Sequence, residues 1–470
     1  MDNLIIPGYY MTISGILLLT GFVILAVLMI TRILPTLLAL PMMAVWIALI
    51  SGIPFTDWLN EILLKGSMRL SSPITLVIFG SMFSNIIQKT GISDTIIKKA
   101  AEFSDDQPFS IAILMTAATA FIFLGMNGLG AIIMVGSIAI PIMTSAGIMA
   151  IDAVILILLG MVTGISLNFA GAATGVGIFG AENVLRYFTS SAVISLSITV
   201  IYIMVNIPRN KGIFRATAII LKHFFLGLLF VPVSFVQTLV KHFLHKPSPH
   251  NDRRKELPTA ALITPIIPLV VIIVIGFTVG LGSEADGKID PVAAALLGFL
   301  IASFYATIMI SPAKTVNLFS GALIDGIKDI AGVIFLFMGI GMLVAATTHP
   351  ASTEILDPFL KAVMPSSFYG MLIFFIILAP AALYRGPLNM YGMGSGIAAI
   401  MKNISSLPAT SLYGMFRGVE FVQILADPTN SHNTWLAGYA GVDVNAVLKK
   451  ILPYAWGACI MMMIVVFFMK

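Results

Sequence analysis

Charge is what this sequence has least of. Only 10 % of its 470 residues are Asp, Glu, Lys or Arg, where a soluble domain carries about a quarter. So few charges cannot cover a water-facing surface, and the string of soluble domains that the length alone would allow is excluded. Cysteine is nearly missing. Cys459, inside the last apolar run, is the single one, so neither an intrachain disulfide nor a thiolate metal cluster is available. The six histidines lie mostly in connecting segments, with no HExxH and no paired-His zinc pattern. No basic residue precedes the first apolar stretch in Met1-Asp2-Asn3-Leu4, so that stretch reads as a retained span and not a cleaved signal. Short alternating strands are absent too, which excludes a β-barrel.

What is present is apolar. Such residues make up 59 % of the chain, and the mean hydropathy is +1.03. They come in runs long enough to cross the roughly 30 Å of hydrocarbon in a bilayer. In the first half the runs fall at 9–31, 33–52, 72–88, 109–147, 151–170 and 189–207. A charged stretch follows at 208–258, and then come 260–282, 290–311, 330–347, 366–403, 412–427 and 452–469. Each half has three spans, one long interrupted segment, a span ending in a polar break, and a last span. A shift of about 260 positions lays Gly125–Gly130 on Leu383–Leu388 and Asn168 on Asn430. Repeats of this kind mark secondary transporters.

The fold class expected is an all-α polytopic membrane protein of two inverted repeats, each with about five spans, a re-entrant hairpin and a broken helix. Residues 1–207 form the first repeat, with scaffold spans in 9–88 and the hairpin and broken helix in 109–185. Residues 259–470 form the second, with the corresponding parts in 260–347 and 366–448. Between them, 208–258 is a basic cytoplasmic linker, in which Ile213–Lys246 reads as an interfacial amphipathic helix. With the N-terminus outside, most of the 26 basic residues fall on the inner face, as the positive-inside rule asks. The net charge of +5 therefore belongs to membrane-facing loops, and the partner is the lipid bilayer and not nucleic acid.

Four polar breaks interrupt the apolar runs. They are Asn127-Gly128-Leu129-Gly130 with Ser137 following, Gly164–Asn168 running on to Gly175, Arg385-Gly386-Pro387-Leu388-Asn389 running on to Ser395, and Asp427–Asn433. A single glycine cluster in a membrane is most simply a close helix contact. Four breaks at repeat-related positions point instead to a polar cavity, where half-helix N-termini meet anions and opened carbonyls meet cations. Arg385 stands out, because a guanidinium at that depth costs several kcal/mol unless paired. It suits a bidentate clamp on a carboxylate, or an internal ion pair. Asp427, fixed before Pro428, is a candidate for carrying a coupling proton or holding sodium, or a partner for Arg385 or Arg417. Arg417 and Glu420, three apart on one helix face, pair with each other. His432 is a proton relay or a plain hydrogen-bonding side chain. Asn168 and Asn430 offer amide oxygens to a hard cation, or glue helices.

The candidate substrate-binding residues are thus Asn127, Gly128, Gly130, Ser137, Arg385, Gly386, Asn389, Ser395 and Thr429. Those for ion coupling are Asn168, Asp427, Asn430 and His432. No cofactor or resident metal is expected beyond a coupling sodium ion or proton. An enzyme would need His and Asp clustered near one interface, and His432 with Asp427 is the nearest approach, so a transporter is expected in place of an enzyme.

The motifs at 125–141, 164–175, 385–396 and 427–433 resemble those of the ion transporter superfamily. That group includes gluconate permeases, citrate and dicarboxylate symporters, and the large subunits of binding-protein-dependent dicarboxylate transporters. The Ser-Asn-Thr triplet of its sodium–dicarboxylate branch is absent from both hairpins. The resemblance implies a homodimer in a bacterial inner membrane, with a rigid scaffold and a mobile domain moving a small organic anion in an elevator-like step. The alternatives are a cation/proton antiporter of the same superfamily and a membrane subunit fed by a soluble binding protein.

Overall fold

The computed structural model describes residues 4–6, 9–11, 13–31, 33–104, 107–208, 257–283, 286–310, 312–365, 367–392 and 394–470. The expected interfacial helix at Ile213–Lys246 lies outside the described residues. Regular structure is overwhelmingly helical, the main exception being a short antiparallel pair, Leu4–Ile6 with Tyr9–Met11. Apolar runs become helices because, in hydrocarbon, a backbone must satisfy its own N–H and C=O groups.

In the first half these are α1 (Ile13–Ile30), α2 (Thr36–Ile50), α3 (Phe55–Lys89), α4 (Ile92–Glu102), α5 (Pro108–Phe123), α6 (Leu129–Ser145), α7 (Ala150–Ile165), α8 (Ala173–Phe179) and α9 (Phe188–Asn206). The second half supplies α10 (Ile267–Thr278), α11 (Pro291–Ile310), α12 (Thr315–Thr348), α13 (Pro350–Val363), α14 (Phe368–Leu378), α15 (Gly394–Ile404), α16 (Ala409–Ala426), α17 (Ser431–Tyr439) and α18 (Val444–Phe468). Among the described residues, seven helices are long and apolar enough to cross a bilayer alone, and the pair α7–α8, bent by 91°, makes an eighth. The chain is a polytopic all-α membrane protein.

The second set follows the first in order. Each half has two apolar helices (α1 and α2, α10 and α11), one long helix (α3, α12), a short amphipathic helix (α4, α13), a helix–turn–helix hairpin (α5–α6, α14–α15), a broken helix (α7–α8, α16–α17) and a last span (α9, α18). Contacts between halves are reciprocal: α3 packs on α11 and α12 on α2, while α6 packs on α17 and α15 on α8. A two-fold relation between repeats produces such pairs.

The long helices exceed their apolar runs. α3 begins at Phe55, where the run begins at 72, and α12 begins at Thr315, where the run begins at 330. The added turns carry Asp57, Glu61, Lys65 and Arg69 in α3, and Asp325, Lys328 and Asp329 in α12, which hydropathy cannot register as helix. At the opposite end of α3 from its added turns, Lys89 reaches Asp325 at 2.6 Å and ties α3 to α12.

Two buried charges elsewhere are paired. Arg417 donates to Glu420 at 2.8 Å, as their spacing predicts, and to Ser191 and Ser166 at 3.1 and 3.0 Å. Asp152, at the start of α7, accepts the Tyr202 hydroxyl at 2.5 Å and the Lys450 ammonium, binding α7, α9 and α18 together. Gly164, one of the break glycines, serves helix contact instead. A Cβ there would stand 2.3 Å from the carbonyl oxygen of Ala120 on α5.

Candidate functional site

Both hairpin tips are built by the breaks that follow them in sequence. At the second tip, α14 runs into a tight turn, Ala379–Arg385, where Tyr384 and Arg385 adopt φ of 54° and 59°. For side-chain-bearing residues this left-handed backbone costs about 1–2 kcal/mol each, so something must hold it. Asp427 does. Its fully buried carboxylate accepts the backbone N–H of Tyr384 at 3.0 Å and that of Arg385 at 3.4 Å. It also takes the Asn389 amide at 3.0 Å and the Thr429 N–H and hydroxyl at 2.9 and 2.7 Å. Gly386 follows the turn, where a Cβ would sit 2.1 Å from the Ala381 oxygen. Gln423 closes the loop by accepting the Met390 N–H at 2.8 Å.

At the first tip, α5 ends at Phe123 and the chain turns through Gly128, whose φ is +93°, into α6. Here Asn168 is the tie. Its amide donates to the carbonyls of Phe123 and Met126 at 3.2 and 3.0 Å, and its oxygen accepts the Ala170 N–H at 3.0 Å. By position in sequence, Asn168 registers with Asn430. By what each side chain binds, its counterpart is Asp427. A tip presenting carbonyls is met by an amide donor, and a tip presenting N–H groups by a carboxylate.

Between the two tips and the two breaks lies a cavity of about 380 Å³. Its walls come from α3 and α12 on one side and from both hairpins and both broken helices on the other. Of the candidate residues, Asn127, Gly128, Arg385, Asn430 and His432 line it. Among the described residues, the guanidinium of Arg385 makes one hydrogen bond, to the Tyr391 carbonyl at 3.4 Å. His432 sits with Nε2 3.1 Å from the Ile424 carbonyl oxygen, and Asn430 donates to the Gln423 carbonyl at 2.7 Å.

The other candidates do not line this cavity. Asp427, Asn389, Gly386 and Thr429 form the support of the second tip, and Asn168 that of the first. The Ser137 hydroxyl bonds its own helix at the Met134 carbonyl, and its carbonyl accepts the Tyr439 hydroxyl. Ser395 is buried on the Gly392 carbonyl. Gly130 opens α6 beside Gln88 and Asp329. Sequence reasoning misses Asp329, Tyr391 and Ser431 on the cavity wall, and Gln423 behind it. Asp329 lies one residue before the apolar run at 330–347, and no residue-level pattern marks it as facing inward.

No family model matches the chain, and no curated protein matches it. Among solved structures, the Alcanivorax borkumensis YdaH transporter, described as having an unusual topology, aligns over 97 % of each chain at a TM-score of 0.53, with 11 % identity. Neisseria gonorrhoeae MtrF, described with a class of antimetabolite efflux pumps, aligns over 87 % of this chain and 82 % of its own at 0.43, also with 11 % identity. The first likeness extends over nearly the whole length of both chains and establishes a shared fold.

Proposed function

We propose that the protein is a secondary active transporter, a symporter of a small organic anion driven by protons or sodium. The observation that carries this reading is the cavity of about 380 Å³ between two hairpin tips, with the Arg385 guanidinium on its wall. Ligand pockets of such size hold small molecules with a few oriented polar groups. In this reading Arg385 takes the carboxylate, with Asn127, Asn430 and His432 supplying further hydrogen bonds. The YdaH likeness supports transport as the use of this fold, the superfamily resemblance supports an elevator-like homodimer, and the spread of basic residues along the chain supports an inner-membrane protein with its N-terminus outside.

Asp427 is the coupling carboxylate in this reading, and it acts through the tip. Ionised, it holds the Tyr384–Arg385 turn with its accepted hydrogen bonds. Unchanged pH and sodium dependence of uptake in Asp427→Asn would remove this role.

The test is thermal stabilisation of the purified protein by a panel of carboxylates, with and without sodium, at two pH values. A ligand that binds the native state alone raises apparent stability by RT ln(1 + [L]/Kd), so a weak site registers at millimolar ligand. A shift with an acid, enlarged by sodium or low pH, supports the symporter. A shift with sodium or protons and none with any acid replaces it with a cation/proton antiporter.

A further inference from the structure

Resting on the anion site just proposed, a second charge in the cavity narrows the class of molecule that site takes. Among Asp, Glu, Lys and Arg, the cavity wall carries two residues, Arg385 and Asp329. They stand at different tips. Arg385 is part of the second, whereas Asp329, on α12, reaches the first, its Oδ2 3.9 Å from where a Cβ on Gly130 would be. No ion pair joins them among the described residues.

Among the described residues, Asp329 is also left without a basic partner. The two nearby lysines, Lys89 and Lys328, both turn to Asp325, at 2.6 and 3.2 Å. What Asp329 has is the Asn85 amide, donating to one carboxylate oxygen at 2.9 Å. Asp329 is itself exposed, so its charge is tolerated without a protein cation, and the cavity is a face it lines. A carboxylate facing a cavity with its lysines taken is open to a cation arriving from inside.

We infer that the transported molecule is a zwitterion of the amino-acid type, its carboxylate held by Arg385 and its ammonium by Asp329. Apolar side chains, among them Phe123, Met161, Val333 and Phe337, also line the cavity and suit the apolar side chain of such a molecule. An ammonium fits better than a free sodium ion. An ammonium donates hydrogen bonds to the carboxylate oxygens of Asp329 beside the one the Asn85 amide makes, whereas sodium would have to gather several oxygens around itself.

The experiment compares matched pairs on the wild-type full chain at neutral pH: phenylalanine against 3-phenylpropanoate, and glutamate against glutarate, by thermal stabilisation. The amine-bearing member should bind about tenfold tighter or better in at least one pair, the worth of a charge-assisted hydrogen bond. Asp329→Asn should erase that preference, bringing both members to like affinity. Equal binding of both members by the wild type overturns the zwitterion and leaves the anion site standing. So does parity reached by the deaminated acid once sodium is added, since the cation would then be a free ion. No shift with any acid removes the anion site, and this inference with it. The paired comparison needs no variant, so a misfolded Asp329→Asn does not stop it from deciding.

Discussion

The Asp427 carboxylate and the Tyr384 backbone N–H, 43 residues apart, are joined by a 3.0 Å hydrogen bond in a fully buried setting. A residue on the break of one helix thereby sets the shape of a hairpin tip, and with it the position of Arg385 at the cavity. Charge and strain offset each other. The carboxylate needs donors, and the left-handed turn frees N–H groups that no helix can satisfy.

Asp427→Ala should therefore destabilise the protein by about 3 kcal/mol, since it removes a buried ionised acceptor and leaves its donors unpaired. Asp427→Asn keeps the shape, presents an N–H2 where an N–H acceptor is needed, and should fall in between. Thermal unfolding in detergent measures both. Wild-type stability in Asp427→Ala would show that the tip holds itself.

The first tip answers the same question with opposite chemistry. Asn168→Ala should cost roughly 1–2 kcal/mol by leaving the Phe123 and Met126 carbonyls unpaired. Asn168→Asp should cost more, because it sets a carboxylate against two carbonyl oxygens. If Asn168→Asp proves the milder of the two, the amide is not acting as the donor.

Arg385→Ala should leave folding nearly unchanged, because the guanidinium makes a single 3.4 Å bond among the described residues. It should weaken stabilisation by carboxylates at least about tenfold, the scale of a lost charge-assisted pair. Uptake by this variant with unaltered apparent affinity would end the role of Arg385 as a clamp.

Arg417 and Glu420 are both buried and paired at 2.8 Å. Removing one partner, as in Glu420→Ala, should cost about 3–5 kcal/mol by stranding the other charge. Joint replacement by Met and Leu should cost less than the two single changes together. A double-mutant cycle on thermal unfolding reads the coupling, and strict additivity would deny the pair.

Hydropathy and repeat by themselves determined that this chain is a polytopic helical membrane protein in two like halves, and where its helices break. Those properties are local, because a run of apolar residues in lipid has one way to satisfy its backbone, and a Gly–Asn or Asp–Pro interruption stops it. Arg385, Asn127 and His432 were also legible, as polar residues at such interruptions. The helical turns at 55–71 and 312–329 were not, because their charges hide them from hydropathy. Nor was the division of labour between Asn168, Asp427 and Asp329. That was decided by tertiary structure: α12 carries Asp329 to a tip some 200 residues earlier in the chain, and each tip's exposed backbone groups select an amide or a carboxylate from a helix folded against it. Which groups meet across that distance depends on how the two repeats pack, and no spacing along the chain encodes it.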